Sequence, residues 1–438
     1  MSMGEQIAIW AAATFNWLLE FSFMYPLIMS IVWITGSSYY FFYRERRDER
    51  KPDEPPELRE YPPVSYLVPC HNEAPNVAET IRSLLNQRYP HFEIIAVNDA
   101  STDETGEVLE SLAAEDSRVR VIHFDVNQGK AMGLRVATLA ANHEILVGLD
   151  GDALLDPHAT AWLVRHFING PRVGAVTGNP RVRNRTTLIG RIQVGEFSSI
   201  IGLIKRAQRI YGRIFTVSGV VAAFRKAAVH QAGYWSEDVV TEDIDISWRL
   251  QLNHWDIRYE PNAVCWILMP ETLKGLWHQR LRWAQGGIEV LRKHFRSLFR
   301  WRSRRMWIVA AELTVSTFWA YTMALIFVLW VAGQLLNLPA PYGTADIPPG
   351  WSGIILGTVC LLQFGISIAV DSRYEKRLGR VYYWLIWYPM IYWVIQVVTS
   401  VFAVPRAFSR KPGARGIWTS PDRGIRSDKD LEQESANG

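Results

Sequence analysis

The sequence predicts an α/β domain built on a mostly parallel sheet and tethered to helices that cross a membrane. Three observations lead there. Short apolar runs begin at Val64, Phe92, Val119 and Glu144, which lie 28, 27 and 25 residues apart, with helix-period stretches such as Val77, Ile81, Leu84 and Leu85 between them. Strand–helix alternation at about 30 residues per unit indicates βαβ units on a parallel sheet. Uncharged stretches long enough to span hydrocarbon lie on both sides of this region. Polar residues gather where the apolar runs stop, and such sheets bind ligands at the carboxyl ends of their strands.

In chain order, residues 1–43 form the N-terminal membrane segment. Phe21 to Tyr43 carries no formal charge and ends at the basic run Arg44-Glu45-Arg46-Arg47, which predicts a transmembrane helix. Gln6 to Leu19 reads as a second span or an interfacial helix. No Lys or Arg precedes Arg44, so a cleaved signal peptide is not expected. Residues 44–62 form a charged, Pro-rich linker. Residues 63–287 form the α/β domain, within which Thr187–Tyr211 has an interfacial character. Residues 288–305 carry seven basic residues and one acid interleaved with Leu, Phe and Trp. They predict an amphipathic helix lying on membrane lipid. A nucleic-acid arm is the rival reading, but the next residues enter the membrane, so no nucleic-acid partner is expected.

The region 306–404 holds three apolar stretches, Met306 to Leu336, Trp351 to Val370 and Val381 to Val404, before a tail at 405–438. The loop at 337–350 lacks Lys and Arg, whereas 371–380 carries Arg373, Lys376, Arg377 and Arg380. The positive-inside rule puts 44–305 and 371–380 in the cytoplasm and 337–350 outside. If 381–404 crosses once, the basic tail lies outside, against that rule; a break at Pro389 would make the segment re-entrant.

Composition narrows the function. With 47 Lys+Arg against 43 Asp+Glu, the formal charge is only +4, and three Cys give no disulfide framework. Nineteen Trp suit membrane interfaces. No GxGxxG or GxxxxGK[ST] follows a strand, which disfavours a dinucleotide-dependent dehydrogenase or a P-loop NTPase.

Each motif has a chemical and a plain reading. Asp150-Gly151-Asp152 follows a buried run, and two carboxylates there suit a hard divalent cation completed by phosphate oxygens. The same spacing recurs at 243/245 and 428/430 and can be a solvated turn. Asp99, in Asn98-Asp99-Ala100-Ser101, suits a nucleotide base or ribose, or an Asx turn. Lys130 suits a diphosphate at a helix start, or is an exposed helical lysine. Thr241-Glu242-Asp243 gives either a helix cap with acids in the first turn or a general base at Asp243. Gln279, Arg282 and Trp283 are either the face of a membrane-proximal helix or a sugar platform with an arginine for phosphates.

Pro69-Cys70-His71-Asn72-Glu73, Asn98-Asp99-Ala100-Ser101, Asp150-Gly151-Asp152, Thr241-Glu242-Asp243 and Gln279-x-x-Arg282-Trp283 occur in the order seen in processive family 2 glycosyltransferases. That family includes cellulose, chitin and hyaluronan synthases, and the chain resembles it across nearly its whole length. Stretches such as 174–183, 193–212, 215–225 and 240–248 resemble its branch that forms poly-N-acetylglucosamine for biofilm exopolysaccharide.

The resemblance implies a Rossmann-like, nucleotide-sugar-binding glycosyltransferase A-type domain and an inverting reaction with UDP-N-acetylglucosamine. It implies Asp99 on uridine, Asp150 on ribose or diphosphate, Asp152 on Mg²⁺ or Mn²⁺, and Lys130 near the diphosphate. Pro69 and Glu73 would line the nucleotide side and Ser218 and Gly219 the acceptor side. Asp243, beside Glu242, would be the base, with Gln279, Arg282 and Trp283 around the leaving group and acceptor. It also implies a growing polymer chain, a bacterial inner-membrane location and a small accessory membrane subunit. The alternatives are a synthase of another β-linked polymer, a lipid-phosphate glycosyltransferase, or a nucleotide-sugar-binding membrane protein without catalysis.

Overall fold

A computed structural model describes residues 3–48, 50–336, 350–411 and 413–415. The loop at 337–349, the tail from 416 and the Asp428/Asp430 pair lie outside the described residues. The helices in chain order are α1 (Met3–Tyr40), α2 (Ala74–Leu85), α3 (Thr105–Glu115), α4 (Lys130–Ala140), α5 (Ala159–Ile168), α6 (Leu188–Phe197), α7 (Ile204–Tyr211), α8 (Lys226–Ala232), α9 (Glu242–Leu252), α10 (Leu273–Leu298), α11 (Trp307–Leu336), α12 (Gly350–Asp371) and α13 (Tyr388–Ser409). The chain divides into two compact units, one built on a sheet and one purely helical.

The sheet unit comprises residues 50–197, 216–279 and 413–438. Its strands are β1 (Val64–Cys70), β2 (Phe92–Asp99), β3 (Val119–Phe124), β4 (Ile145–Leu149), β5 (Leu154–Leu155), β6 (Val173–Val182), β7 (Val221–Arg225) and β8 (Asp256–Ile267), in the order β3-β2-β1-β4-β7-β6-β8-β5. The pairs β1–β2, β1–β4, β2–β3 and β6–β8 are parallel; β7 is antiparallel to β4 and β6, and β5 to β8. The four apolar runs read from the sequence are β1 to β4. β1 and β2 are buried along their whole length because helices cover both faces, as parallel sheets require. Val77, Ile81 and Leu84 of α2 are fully buried, as their helical spacing predicts. The linker is anchored rather than loose: Trp162 Nε1 donates to the carbonyl of Pro52 at 2.9 Å and Tyr89 Oη to that of Pro62 at 2.6 Å.

The helical unit comprises residues 1–49, 198–215 and 280–412. Three of its helical stretches are long and apolar enough to cross a membrane: Ile9–Glu45, Trp301–Leu336 and Ser352–Asp371. Among the described residues, Leu378–Trp387 and Tyr392–Ser409 pass the same test only as a pair bent by 68°, the form of a broken span or a re-entrant loop. Buried Arg206 ties three segments of this unit, with Nε 2.5 Å from Glu45 Oε1 and Nη1 2.8 Å from Asp371 Oδ1; Tyr374 Oη donates to Glu45 Oε2 at 2.7 Å. Burying one cation between two carboxylates avoids the large cost of an unpaired buried charge.

Several boundaries differ from the sequence reading. Residues 3–40 form one continuous helix, not two segments, since Glu20 is tolerated on an exposed face and Pro26 does not end it. No separate helix spans 288–305. Instead α10 runs unbroken from Leu273 to Leu298, and a 3₁₀ stretch covers Trp301–Met306. The reason is local: Gly286 and Gly287 are tolerated mid-helix, and Cβ positions at Gly287 would meet only side chains at 3.5 Å or beyond. Residues 198–215 cluster with the helical unit, so the domain expected at 63–287 is discontinuous. The last helix ends at Ser409, past the expected 404. Its end returns to α10, where Arg410 Nη1 lies 2.8 Å from Glu289 Oε2 and Arg292 Nη1 donates to the Ala407 carbonyl at 2.7 Å. Beyond it, Arg415 Nε reaches Glu237 Oε2 of the sheet unit at 3.2 Å.

Candidate active site

The carboxyl ends of β1, β2 and β4 share one edge of the sheet. After Leu149 the chain turns through Asp150-Gly151-Asp152, closed by Ala153 N donating to the Asp150 carbonyl at 3.1 Å. The glycine fits closely: a Cβ at Gly151 would stand 3.1 Å from Cys70 Sγ and 3.3 Å from Glu73 Cγ, so both side chains would have to give by a few tenths of an ångström. Thr80 Oγ1 donates to the Gly151 carbonyl at 3.0 Å and fixes the turn on α2. Asp152 is buried and Asp150 half-buried.

Lys130 opens α4 and gathers the acids. Its Nζ lies 2.5 Å from Asp150 Oδ1 and 3.3 Å from Glu242 Oε1, and donates to the Gly219 carbonyl at 3.1 Å. Burial alone would lower the Lys130 pKa, but Asp150, Glu242 and Asp243 together hold it well above the ordinary value. The lysine is therefore a fixed positive charge. Glu242 and Asp243 form the first turn of α9, where the helix dipole favours acids. Asp243 faces the Ser218-Gly219 bend: a Cβ at Gly219 would lie 3.1 Å from Asp243 Oδ2. Ser218 N donates to Thr177 Oγ1 at 2.8 Å and Val217 N to Ser247 Oγ at 2.9 Å, so strand β6 and helix α9 both hold the bend. Asp245, the other acid of that motif, is fully buried and pairs with Arg249 at 2.6 Å, a structural role. Thr241 precedes the helix, but its hydroxyl makes no capping bond, so the helix-cap alternative is not what its side chain does.

Asp99 is fully buried, and its carboxylate accepts hydrogen bonds from Gln128 N at 2.6 Å and Gly129 N at 2.8 Å. It thus holds the loop that launches Lys130. Gly129 sits at φ 88°, a conformation natural only to glycine. Next to it, His71 Nδ1 is 2.7 Å from the Asp99 carbonyl, and Asn127 Nδ2 is 3.2 Å from His71 Nε2. Asn72 and Ala100, at the two strand ends, have φ of 54° and 51°. Non-glycine residues in that region are uncommon and concentrate at functional turns. Pro69 pairs with Val97, and Glu73 is buried, accepting from Asn76 Nδ2 at 3.3 Å.

Gln279 lies on α10 within the sheet unit and donates to Met269 Sδ at 3.8 Å. Arg282 and Trp283 follow one turn later on the same helix, where they are counted with the helical unit. Arg282 is exposed, and the ring of Trp283 is covered by buried Arg280, whose guanidinium lies 4.5 Å from it. Sequence reasoning passed over Arg280, although an Arg three residues before a Trp on a helix is a contact pair. It gave no role to His71, although that residue stands in the Pro69–Glu73 motif, nor to Gly129 beside Lys130.

For a metal, the carboxylates of this turn are Asp150, which Lys130 already pairs, and buried Asp152. Among the described residues no group of three or more His, Cys, Asp or Glu is arranged around one point. One or two carboxylates with the remaining positions left to phosphate oxygens is the donor set Mg²⁺ and Mn²⁺ accept, so the residues fit such an ion.

Residues 62–286 match the family model described as glycosyltransferase like family 2. The chain is 40% identical over 414 residues to the poly-beta-1,6-N-acetyl-D-glucosamine synthase of Staphylococcus epidermidis, covering 94% of this chain and 98% of that protein. It is 38% identical over 412 residues to the synthase of the same name from Staphylococcus aureus strain COL, with 94% and 98% covered. A mannosyltransferase from Pyrobaculum calidifontis, solved with GDP-Man and Mn2+, superposes with a TM-score of 0.61 at 19% identity, covering 90% of this chain and 99% of that one. That likeness is one of fold. The chain belongs to glycosyltransferase family 2 and is a glycosyltransferase with the A-type fold.

Proposed function

We propose that this protein is a processive, inverting synthase that polymerises N-acetylglucosamine from UDP-N-acetylglucosamine into a β-1,6-linked chain for biofilm exopolysaccharide. The observation that carries it is the meeting of Asp150, Glu242 and the Gly219 carbonyl at Lys130, with Asp243 facing the same bend. The names of the staphylococcal relatives supply the sugar and linkage.

In this reading the 6-hydroxyl of the acceptor sugar enters beside Ser218 and Gly219 and gives its proton to Asp243. Its oxygen attacks the anomeric carbon of the donor from the face opposite UDP. The carbon–phosphate-oxygen bond breaks, both electrons leave with UDP, and the α-linked donor becomes a β-linked product. Base-assisted single displacement inverts configuration, by the same geometry that governs inverting hydrolases. Lys130, already charged, stabilises the departing diphosphate. A divalent cation held by Asp152 with Asp150 would neutralise the diphosphate when bound; the Mn2+ bound with GDP-Man in the Pyrobaculum mannosyltransferase favours this. Glu242 positions Lys130. Gln279, Arg282 and Trp283 are assigned to the leaving group and the acceptor ring, and Pro69 and Glu73 support the nucleotide side from the end of β1.

The apolar helices anchor the enzyme in the bacterial inner membrane with the sheet unit cytoplasmic. The return of α13 to α10, and of Arg415 to Glu237, supports a cytoplasmic tail and a re-entrant 378–409 segment, in keeping with the positive-inside rule. The spans, with a small accessory subunit, pass the polar polymer through hydrocarbon it cannot cross alone. Labelled UDP-N-acetylglucosamine added to proteoliposomes with and without Mn²⁺ tests this. Metal-dependent polymer cleaved by a β-1,6-specific hydrolase is the expected result; absence of polymer, or polymer resistant to that hydrolase, overturns it.

A further inference from the structure

We propose that Ser247, on the second turn of α9, is a positioning residue that ties Asp243 to the Ser218-Gly219 bend and so sets the gap the acceptor hydroxyl must enter. The inference deepens the proposed function, and it rests on Asp243 as the base and on the bend as the acceptor side.

Ser247 follows Asp243 by four residues, so both lie on one face of α9. Its side chain is fully buried. A serine inside a helix can bond back to the carbonyl four residues earlier, and here Oγ donates to the Asp243 carbonyl at 2.6 Å. A hydroxyl has one hydrogen, so that bond leaves Oγ only as an acceptor. It accepts the amide of Val217 at 2.9 Å, across 30 positions of the chain. One oxygen atom therefore joins the helical turn that carries the base to the strand of chain that enters the bend.

The bend itself is held at several points. Val221 N donates to the Ser218 carbonyl at 3.1 Å, which closes a four-residue turn. Ser218 N donates to Thr177 Oγ1 of β6 at 2.8 Å, and the Gly219 carbonyl accepts from Lys130 at 3.1 Å. On the facing side, Asp243 Oδ1 accepts the amide of Ile244 at 2.9 Å, and Oδ2 is the oxygen nearest the position of a Cβ on Gly219. That position lies 3.1 Å from Oδ2, so the gap between base and bend tolerates little movement. Val217 is buried, and removing the Ser247 hydroxyl strands its amide without an acceptor. A buried donor without a partner is costly, so the chain at Val217 shifts to find one and carries Ser218 and Gly219 with it. Displacements of about 1 Å can slow a positioned reaction roughly a hundredfold.

The test compares Ser247→Ala, Ser247→Thr and Ser247→Cys in the full-length protein in proteoliposomes, with thermal unfolding to show that each is folded. Alanine favours a helix more than serine does, so a slower Ser247→Ala enzyme is not explained by melting of α9. Its kcat for polymer synthesis should fall at least tenfold, while UDP affinity, measured calorimetrically, stays within threefold of the parent. Ser247→Thr keeps the hydroxyl and should stay within threefold of the parent in kcat. The thiol of Ser247→Cys donates and accepts weakly, so this variant should show the tenfold loss and decides the matter if the alanine variant does not fold. A kcat within threefold of the parent for the folded Ala or Cys variant overturns the proposal. So does an equal loss of kcat and UDP affinity, the mark of a generally loosened site, or a folded Ser247→Thr enzyme as slow as Ser247→Ala. Asp243→Asn is measured alongside. Turnover near the parent level there removes the base itself, whereas an inactive Asp243→Asn beside a fully active Ser247→Ala removes only the positioning role and leaves the synthase reading standing.

Discussion

Replacing Asp99 by Asn separates two roles that the same residue can play. In the structure both carboxylate oxygens receive backbone amides, Gln128 N at 2.6 Å and Gly129 N at 2.8 Å, in a fully buried site. Asn keeps one acceptor but turns an NH₂ toward the other amide. One hydrogen bond to a charged group is lost, about 1.5–3 kcal/mol. If that loss is felt as opening of the loop that places Lys130, the ratio kcat/KM should fall roughly 10- to 150-fold. The fall should not depend on the base, because the carboxylate faces the loop. The assay is polymer synthesis from UDP-N-acetylglucosamine, together with inhibition by UDP and by CDP. The positioning role predicts that both nucleotides weaken by similar factors. If instead Asp99 contacts N3 of uracil, Asn should shift the UDP-to-CDP preference at least tenfold. A shift of that size, or a loss in kcat/KM below threefold, refutes the positioning account.

Asp243→Asn should abolish polymer formation while UDP binding, measured calorimetrically, stays within a few-fold of the parent; turnover near the parent level would remove Asp243 as the base. Gly219→Ala places a methyl 3.1 Å from Asp243 Oδ2 and should lower kcat more than it raises KM, since the displaced group acts in the transition state; unchanged kinetics would show that the bend yields freely. Burial, reinforced by Glu73, Asp150, Asp152 and Asp103, pushes the Cys70 thiol up. The folded protein should therefore resist iodoacetamide at pH 8 until it unfolds. Since the raised value belongs to the folded state, its stabilisation is complete below the ordinary thiol value and fades as pH rises above about 9. Thermal melts of the parent between pH 7 and 10 should fall more steeply than those of Cys70→Ala. Glu260→Gln breaks the buried contacts to Arg165 and His166 and should cost about 3–5 kcal/mol, read as a lower urea midpoint.

Much of the sheet unit was legible along the chain. The runs starting at Val64, Phe92, Val119 and Glu144 became β1 to β4, each strand beginning within a residue of its run, because strands buried on both faces are apolar throughout and turns break them. Asp150, Lys130, Glu242 and Asp243 were legible as chemistry because each sits at a strand end or a helix start, positions that residue order reveals. Their convergence was not, since residues 113 apart in the chain, such as Lys130 and Asp243, meet only through the antiparallel β7 that brings Gly219 under the lysine.

Partnership was likewise out of reach. An aspartate at a strand end reads the same whether it faces a ligand or two amides, and only the fold gave Asp99 to Gln128 and Gly129. Periodicity could not divide 63–287 between two units either, because a helix such as α7 becomes part of one cluster through partners like Tyr211 with Val32, a hydrogen bond of 2.8 Å across 179 positions. Local pattern is encoded by neighbours a few residues apart, so the sequence determined the elements and the chemical types at their ends. Which of those ends share a pocket, and which carboxylate is already occupied, depends on contacts between distant segments, and only the tertiary structure decided it.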